Sequence, residues 1–132
     1  MTLLPTPIPY TSAVELGSWT LHGFGELRAL RSGLRAVATT AADVEGIVVA
    51  ANELATNALR HGRPPAVVRL LREPGGLILD VADHDRESAP RQAAGRPPGA
   101  GGLGLRLTAT FAKDVGWYAT EVTKHVWASF PS

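Results

Sequence analysis

The 132-residue chain contains no cysteine, so disulfide bonds, thiolate catalysis and cysteine-ligated zinc sites are excluded. It also lacks a strong charge of either sign, because 13 basic and 12 acidic residues leave a formal net charge of +1. A charge this small creates no overall field of the kind that draws a protein to nucleic acid. We therefore expect no direct nucleic-acid partner.

Long apolar runs are absent as well. No segment approaches the roughly 20 apolar residues that a membrane-spanning helix needs. Residues 1–10 have neither a basic start nor a long apolar run, so they do not have the pattern of a signal peptide. The sequence thus predicts no membrane partner and a cytoplasmic location.

The composition is that of one folded domain with an N-terminal extension. Hydrophobic residues make up 45% of the chain, enough for a single core at this length. Pro5, Pro7 and Pro9 oppose both helix formation and strand pairing near the start. We predict a flexible arm over residues 1–15 and one domain over residues 16–132.

Apolar periodicity predicts the helices and strands. Helical spacing appears over residues 24–37 and, most clearly, over residues 43–60. Gly62 lies just past the second helix, where a left-handed cap is expected. The remaining expected elements are a short strand at 19–21, a hairpin of strands 66–72 and 77–82 around a four-residue turn, a helix at 102–112, and strands at 115–120 and 121–130.

This order of elements predicts the fold class. Consecutive strands joined by tight turns pair antiparallel, and the three helices should cover one face of the sheet. The expected fold is an α+β two-layer sandwich with a mostly antiparallel sheet. Residues 83–101, rich in Pro, Gly and Arg, form a long loop that we interpret as a lid.

Two polar groups on the second helix are candidates for chemistry. Glu53 and Asn57 are four residues apart, so they project from the same side of the helix. Their oxygens suit Mg²⁺, and the carboxylate could also act as a general base. Gly46 and Ala50 on the same stripe would leave room for a ligand. A solvated polar helix face explains the same pattern, and periodicity alone favours that interpretation.

Two further features are suited to binding a nucleotide. Asp83 ends an apolar strand, where a carboxylate can accept a hydrogen bond from an amino group such as that of adenine. A strand-end aspartate is also a common turn former. The second feature is the segment Gly101, Gly102, Leu103 and Gly104, which opens a helix and offers backbone N–H groups to an anion. A flexible loop before a helix is the simpler interpretation of this segment.

The order of these motifs is more specific than any one of them. A helical Glu-x-x-x-Asn ends in His-Gly, a strand ends in Asp, a lid leads into Gly-x-Gly-Leu-x-Leu, and Val-Trp-Ala precedes a last apolar residue. This pattern resembles the histidine-kinase-like, or GHKL, ATPase superfamily. It is most similar to the compact anti-sigma-factor serine/threonine kinases of the RsbW type.

The resemblance implies a Bergerat-type fold with ATP and Mg²⁺ as cofactors. By position, Asn57 would hold Mg²⁺ and the phosphates, and Glu53 would be the catalytic base that activates a serine hydroxyl. Asp83 would bind the adenine amino group. The triphosphate would lie against Gly101, Gly102, Leu103 and Gly104. The implied partners are a sigma factor, an anti-sigma-factor antagonist of the STAS type and a second copy of the chain in a homodimer.

Two other functions are also compatible with the sequence. Asp85 stands where stricter members of the family have glycine, which favours a regulator that binds ATP, or only protein, without kinase activity. The other hypothesis is that the chain is the ATPase half of a histidine kinase. It is disfavoured because no separate dimerisation and phosphoacceptor helices precede the domain.

Overall fold

The computed structural model describes residues 4–85 and 103–132, with residues 103–106 described by their backbone alone. The chain forms an α+β two-layer sandwich, which confirms the predicted fold class. The elements follow in the order β1 (Val14–Leu21), a short 3-10 helix (Phe24–Glu26), α1 (Leu27–Val37), α2 (Val44–His61), β2 (Ala66–Glu73), β3 (Gly76–Asp83), α3 (Leu103–Phe111), β4 (Asp114–Ala119) and β5 (Lys124–Phe130).

The five strands pair antiparallel in the order β1-β2-β3-β5-β4. β3 is therefore central, and it is buried along its whole length. Its side chains alternate between the two faces of the sheet, so Leu79, Val81 and Asp83 face the helices. Asp80 faces the other way. The two aspartates of β3 thus lie on opposite faces of the sheet.

The main core lies between the helices and the inner face of the sheet. Leu30 and Leu34 of α1 and Ile47 of α2 are fully buried there, against Leu79 and Ala128 of the sheet. Helix α2 begins at an N-cap, since the Asp43 side chain accepts a hydrogen bond from the Gly46 N–H at 3.0 Å. The predicted helices are confirmed to within a few residues at each end, except that residues 24–26 form the 3-10 helix.

Two predictions about the first three strands were wrong. The first strand is eight residues long rather than three, because its backbone pairs with β2 from Val14 to Leu21. The turn between β2 and β3 contains two residues, Pro74 and Gly75, rather than four. Gly75 has a φ of 93°, a left-handed conformation that glycine adopts without steric cost.

The N-terminal segment lies on the outer face of the sheet. The Thr6 N–H donates to the Trp117 carbonyl at 2.7 Å, and the Trp127 indole donates to the Thr6 hydroxyl at 2.9 Å. The Tyr10 hydroxyl accepts from Arg69 at 2.7 Å. Residues 6–10 therefore contact the sheet, while the flexibility expected of residues 1–15 stays a prediction.

A buried polar cluster organises this outer face around Asp80, which is 0% exposed. One carboxylate oxygen accepts from the Tyr118 hydroxyl at 2.7 Å, and the other lies 2.7 Å from His125 Nδ1. The Tyr118 and His125 rings stack with their centroids 4.5 Å apart. Burial raises the pKa of Tyr118, so its hydroxyl keeps its proton and remains a donor to the carboxylate.

Tyr118→Phe should lower the free energy of unfolding by about 1.5–3 kcal/mol, the usual value of a hydrogen bond to a charged group. The buried Asp80 carboxylate would lose a donor that water cannot replace. Urea unfolding measures the difference. Tyr10→Phe is the control, because the Tyr10 hydroxyl is half-buried and lies 3.4 Å from Asp80. This variant should lower the free energy of unfolding by less than Tyr118→Phe does. Equal losses in the two variants would contradict a central role for Tyr118.

Candidate functional site

The candidate site lies where the end of β3, the start of β5 and the end of α2 meet. Asp83 is 3% exposed and lies on the face of the sheet that the helices cover. It pairs in register with Lys124 of β5, and the Lys124 ammonium lies 3.6 Å from Asp83 Oδ2. The sheet therefore brings a buried carboxylate and a buried cation together under α2.

Backbone groups fix the other side of the Asp83 carboxylate. Its Oδ1 accepts from the Asp85 N–H at 2.7 Å, and the His84 N–H donates to the Arg63 carbonyl at 2.9 Å. The first bond makes the Asp83 side chain part of a turn, as a strand-end aspartate often is. The second ties the strand end to the segment that follows α2.

Burial raises the pKa of the Asp83 carboxyl group above its ordinary value. Hydrogen bonds from the Asp85 and Arg63 backbone and the nearby Lys124 charge act in the opposite direction, and the Asp85 charge adds to the increase. Burial therefore outweighs the donors and the charge that the protein itself supplies to this carboxyl group. A ligand with an amino group would add a further donor, as the adenine interpretation requires.

Gly62 makes the approach of Asp83 to α2 possible. A Cβ at Gly62 would overlap the Asp83 carboxyl group and would lie 2.7 Å from the Ala58 carbonyl oxygen. The predicted left-handed cap is wrong, since Gly62 has φ −93° and ψ −161°, which is extended backbone. The glycine is needed here for space rather than for its conformation.

Gly62→Ala should displace the Asp83 carboxyl group and weaken ATP binding roughly tenfold or more, the effect of losing one hydrogen bond to a charged group. Isothermal titration measures the affinity. Gly25→Ala is the matched control, because a Cβ at Gly25 meets nothing within 4 Å. ATP affinity that is unchanged in a folded Gly62→Ala protein would separate Asp83 from the nucleotide.

The polar residues of α2 divide into two groups. Asn52 accepts from Arg31 at 2.8 Å, and Glu45 forms two hydrogen bonds of 3.0 Å with Arg35, so these two residues connect α2 to α1. Glu53 is half-buried. At 100° per residue it lies about a quarter turn away from both. Part of the polar surface of α2 therefore contacts α1 and is not simply solvated.

Glu53 and Asn57 instead follow the stripe of α2 that begins at Gly46. They come seven and eleven residues after it, which is close to two and three full turns. A Cβ at Gly46 would meet the Asp43 carboxyl group and would lie 3.3 Å from Phe111 Cβ of α3. The expected room for a ligand at Gly46 is therefore wrong, because α3 and the helix cap fill it.

The packing of α3 determines where its first turn lies. α2 and α3 pack closely, and Phe111, the last residue of α3, lies beside the first turn of α2. Close packing from that point requires α3 to run back along α2. The start of α3 at Leu103 then lies toward Glu53 and Asn57, with the positive end of its dipole there.

Part of the predicted phosphate site lies outside the described residues. Leu103 and Gly104 begin α3, as expected of the glycine-rich segment. Gly101 and Gly102 lie outside the described ranges, as does the expected lid after Asp85. The nucleotide roles of all these residues stay predictions.

The described site has the proportions of an elongated ligand. At 1.5 Å per residue, Asn57 lies about 7.5 Å and Glu53 about 13.5 Å along the helix axis from Gly62, which touches Asp83. A base at Asp83 and phosphates near Asn57 fit this separation. The buried carboxylate, the half-buried carboxamide and the helix start suit an amino group, a metal-bound phosphate and an anion respectively.

Residues 25–130 match the family model of the histidine kinase-like ATPase domain. The chain belongs to this family. As a histidine kinase-like ATPase domain, it is an ATP-binding protein of the GHKL type, and the match runs from the 3-10 helix to the last residue of β5. No curated protein matches the chain. In the parts of this ATPase domain that the structure describes, no helix is long and apolar enough to cross a membrane.

Sequence reasoning did not assign Lys124 to the site of this ATPase domain. Its position became evident only through the register of β5 against β3, which pairs it with Asp83. The alternation of apolar residues in β5 could have predicted which face it occupies, since Val126 and Ala128 share that face. The pairing register itself has no signal in a single sequence.

Proposed function

We propose that this histidine kinase-like ATPase domain is an anti-sigma factor that uses ATP and Mg²⁺ to phosphorylate a serine on an anti-sigma-factor antagonist of the STAS type. The observation that carries the proposal is the buried Asp83 carboxylate at the end of β3, against the same helix that presents Glu53 and Asn57. That arrangement supports adenine at one end of the site and phosphoryl transfer at the other. Binding of a sigma factor would make the kinase a transcriptional regulator.

The proposed chemistry assigns one task to each residue. Asp83 accepts a hydrogen bond from the adenine amino group, and the Asn57 carboxamide oxygen binds Mg²⁺. The metal, when bound, neutralises charge on the phosphates. Glu53 takes the proton of the serine hydroxyl. The serine oxygen forms a bond to the γ-phosphorus as the bond from that phosphorus to the bridging oxygen of ADP breaks. Positioning and charge neutralisation are most of what this reaction needs from a protein.

One observation favours the second candidate, a regulator without kinase activity. Asp85 is half-buried, and its charge adds to the increase in the Asp83 pKa. A second carboxylate this close to the proposed position of adenine would weaken nucleotide binding. The protein would then act through protein contacts, with or without bound ATP.

Two measurements on the wild-type protein test the proposal. Titration with ATP, in the presence and absence of Mg²⁺, establishes whether the nucleotide site is functional. A phosphotransfer assay then uses candidate antagonist proteins and, as the matched control, the same proteins with the acceptor serine replaced by alanine. Serine-dependent transfer supports the kinase. ATP binding without transfer to any antagonist would favour the second candidate.

A further inference from the structure

Among the side chains that the structure describes, Lys124 is the one charged group other than the two aspartates of β3 that is buried, at 9% exposed. Lysine is rarely buried unless it is paired, because removing an ammonium from water is costly. Its ion pair with Asp83 spans 3.6 Å, which is longer than a hydrogen bond. The ammonium is thus close enough to share a ligand with Asp83 without being hydrogen-bonded to the carboxylate.

A contribution to stability does not by itself explain why an ion pair of this kind is buried. The desolvation of two charges often cancels their attraction, so such pairs are frequently replaceable by apolar residues. The position of the pair is more informative. Lys124 begins β5 beside the last residue of β3, so its ammonium lies at the end of the sheet where Asp83 meets α2.

The pair presents a hydrogen-bond acceptor next to a donor. Adenine presents the complementary order on its Watson–Crick edge, with the N6 amino group as donor and ring N1 as acceptor. We infer that Lys124 is a second base-specificity residue, which donates a hydrogen bond to N1 of adenine while Asp83 accepts one from N6. This inference depends on the proposed function, because it requires ATP to bind with its base at Asp83.

The inference predicts a specific pattern of base selection. Hypoxanthine carries an acceptor at O6 and a donor at N1, the reverse of adenine, so each of its groups would face a like group of the pair. A site that hydrogen-bonds a ligand group discriminates strongly against analogues that lack it, because its own buried groups are then left unpaired. Inosine triphosphate should therefore bind much more weakly than ATP.

The decisive experiment removes one hydrogen-bonding group at a time from the nucleotide and from the protein. ATP, 1-deaza-ATP, in which N1 is replaced by CH, and purine riboside triphosphate, which lacks the amino group, are titrated into the wild type and Lys124→Met. The wild type should bind 1-deaza-ATP roughly tenfold or more weakly than ATP, the effect of one hydrogen bond to a charged group. Lys124→Met should bind ATP and 1-deaza-ATP equally. It should still bind purine riboside triphosphate more weakly than ATP, because Asp83 continues to bind the amino group.

Two further variants exclude indirect effects. Lys124→Gln keeps a donor and should retain part of the discrimination at N1. Lys113→Met changes an exposed lysine that precedes β4, at the opposite end of the sheet, and should behave as the wild type does. The comparison of ATP with 1-deaza-ATP in the wild type needs no substitution, so it tests the inference even if Lys124→Met does not fold.

The outcomes separate this inference from the function on which it depends. A wild type that binds none of the nucleotides removes the proposed function and the inference together. A wild type that binds ATP and 1-deaza-ATP equally removes the inference alone. Tighter ATP binding by Lys124→Met would also overturn it, since the lysine would then be blocking Asp83 rather than binding the base.

Discussion

Glu53→Gln should lower the rate of phosphoryl transfer to the antagonist protein by roughly 10²–10⁴-fold, the usual contribution of a positioned acid or base. ATP affinity should remain nearly unchanged, because glutamine keeps the shape of the side chain and loses only the ability to take a proton. The smaller end of that range is expected, since phosphoryl transfer through a loose transition state depends less on a base. Single-turnover phosphotransfer, alongside an ATP titration, measures both quantities.

Glu45→Gln is the matched control for this prediction. It makes the same chemical change on the same helix, at an exposed carboxylate that pairs with Arg35 on the α1 side. It should leave the transfer rate unchanged. If Glu53→Gln were as active as the wild type, Glu53 would have no role as a general base.

Asn57→Ala should weaken Mg-ATP binding roughly tenfold or more and reduce phosphotransfer below detection. The first effect corresponds to the loss of about 1.4 kcal/mol or more of binding free energy. The second follows because a misplaced γ-phosphate loses the alignment that the reaction requires. The measurement is an ATP titration with and without Mg²⁺. Loss of a metal ligand should reduce the increase in ATP affinity that Mg²⁺ produces.

Asn52→Ala tests whether the effect is specific to the stripe that faces α3. Asn52 is a half-buried asparagine of the same helix, and its side chain accepts a hydrogen bond from Arg31. Its loss should reduce stability slightly and leave both Mg-ATP binding and transfer intact. Equal weakening of ATP binding in the two variants, or Mg²⁺ dependence unchanged in Asn57→Ala, would remove Asn57 from the metal.

The parts of the fold that sequence predicted are those with local signals. The periodicity of apolar residues locates α1 and α2, and segments rich in Val, Leu and Ile around a turn locate β2 and β3. β1 was predicted too short because Gly17 and Ser18 interrupt its pattern, and only pairing with β2 makes those residues a strand. The contacts of Thr6 and Tyr10 with the sheet are equally non-local, so composition could not indicate them.

The candidate site divides in the same way. Helical spacing placed Glu53 and Asn57 on one stripe, and alternation placed Asp83 on the inner face of β3. What surrounds Asp83 depends on contacts between distant segments. The sequence offered no signal that Gly62 must admit the carboxylate, or that Lys124 would pair with it across β5. Such contacts become available only when strand register and helix position are known.

The position of β5 has a consequence for the order in which the protein can fold during synthesis. This strand is the last of the five to leave the ribosome, yet it lies inside the sheet between β3 and β4. Until it is available, the nascent β3 is an unprotected edge with apolar side chains on both faces, which favours association with other chains. Asp83 and Asp80 meanwhile lack Lys124 and His125, both of which β5 supplies. The most aggregation-prone stage of synthesis therefore immediately precedes the insertion of this strand.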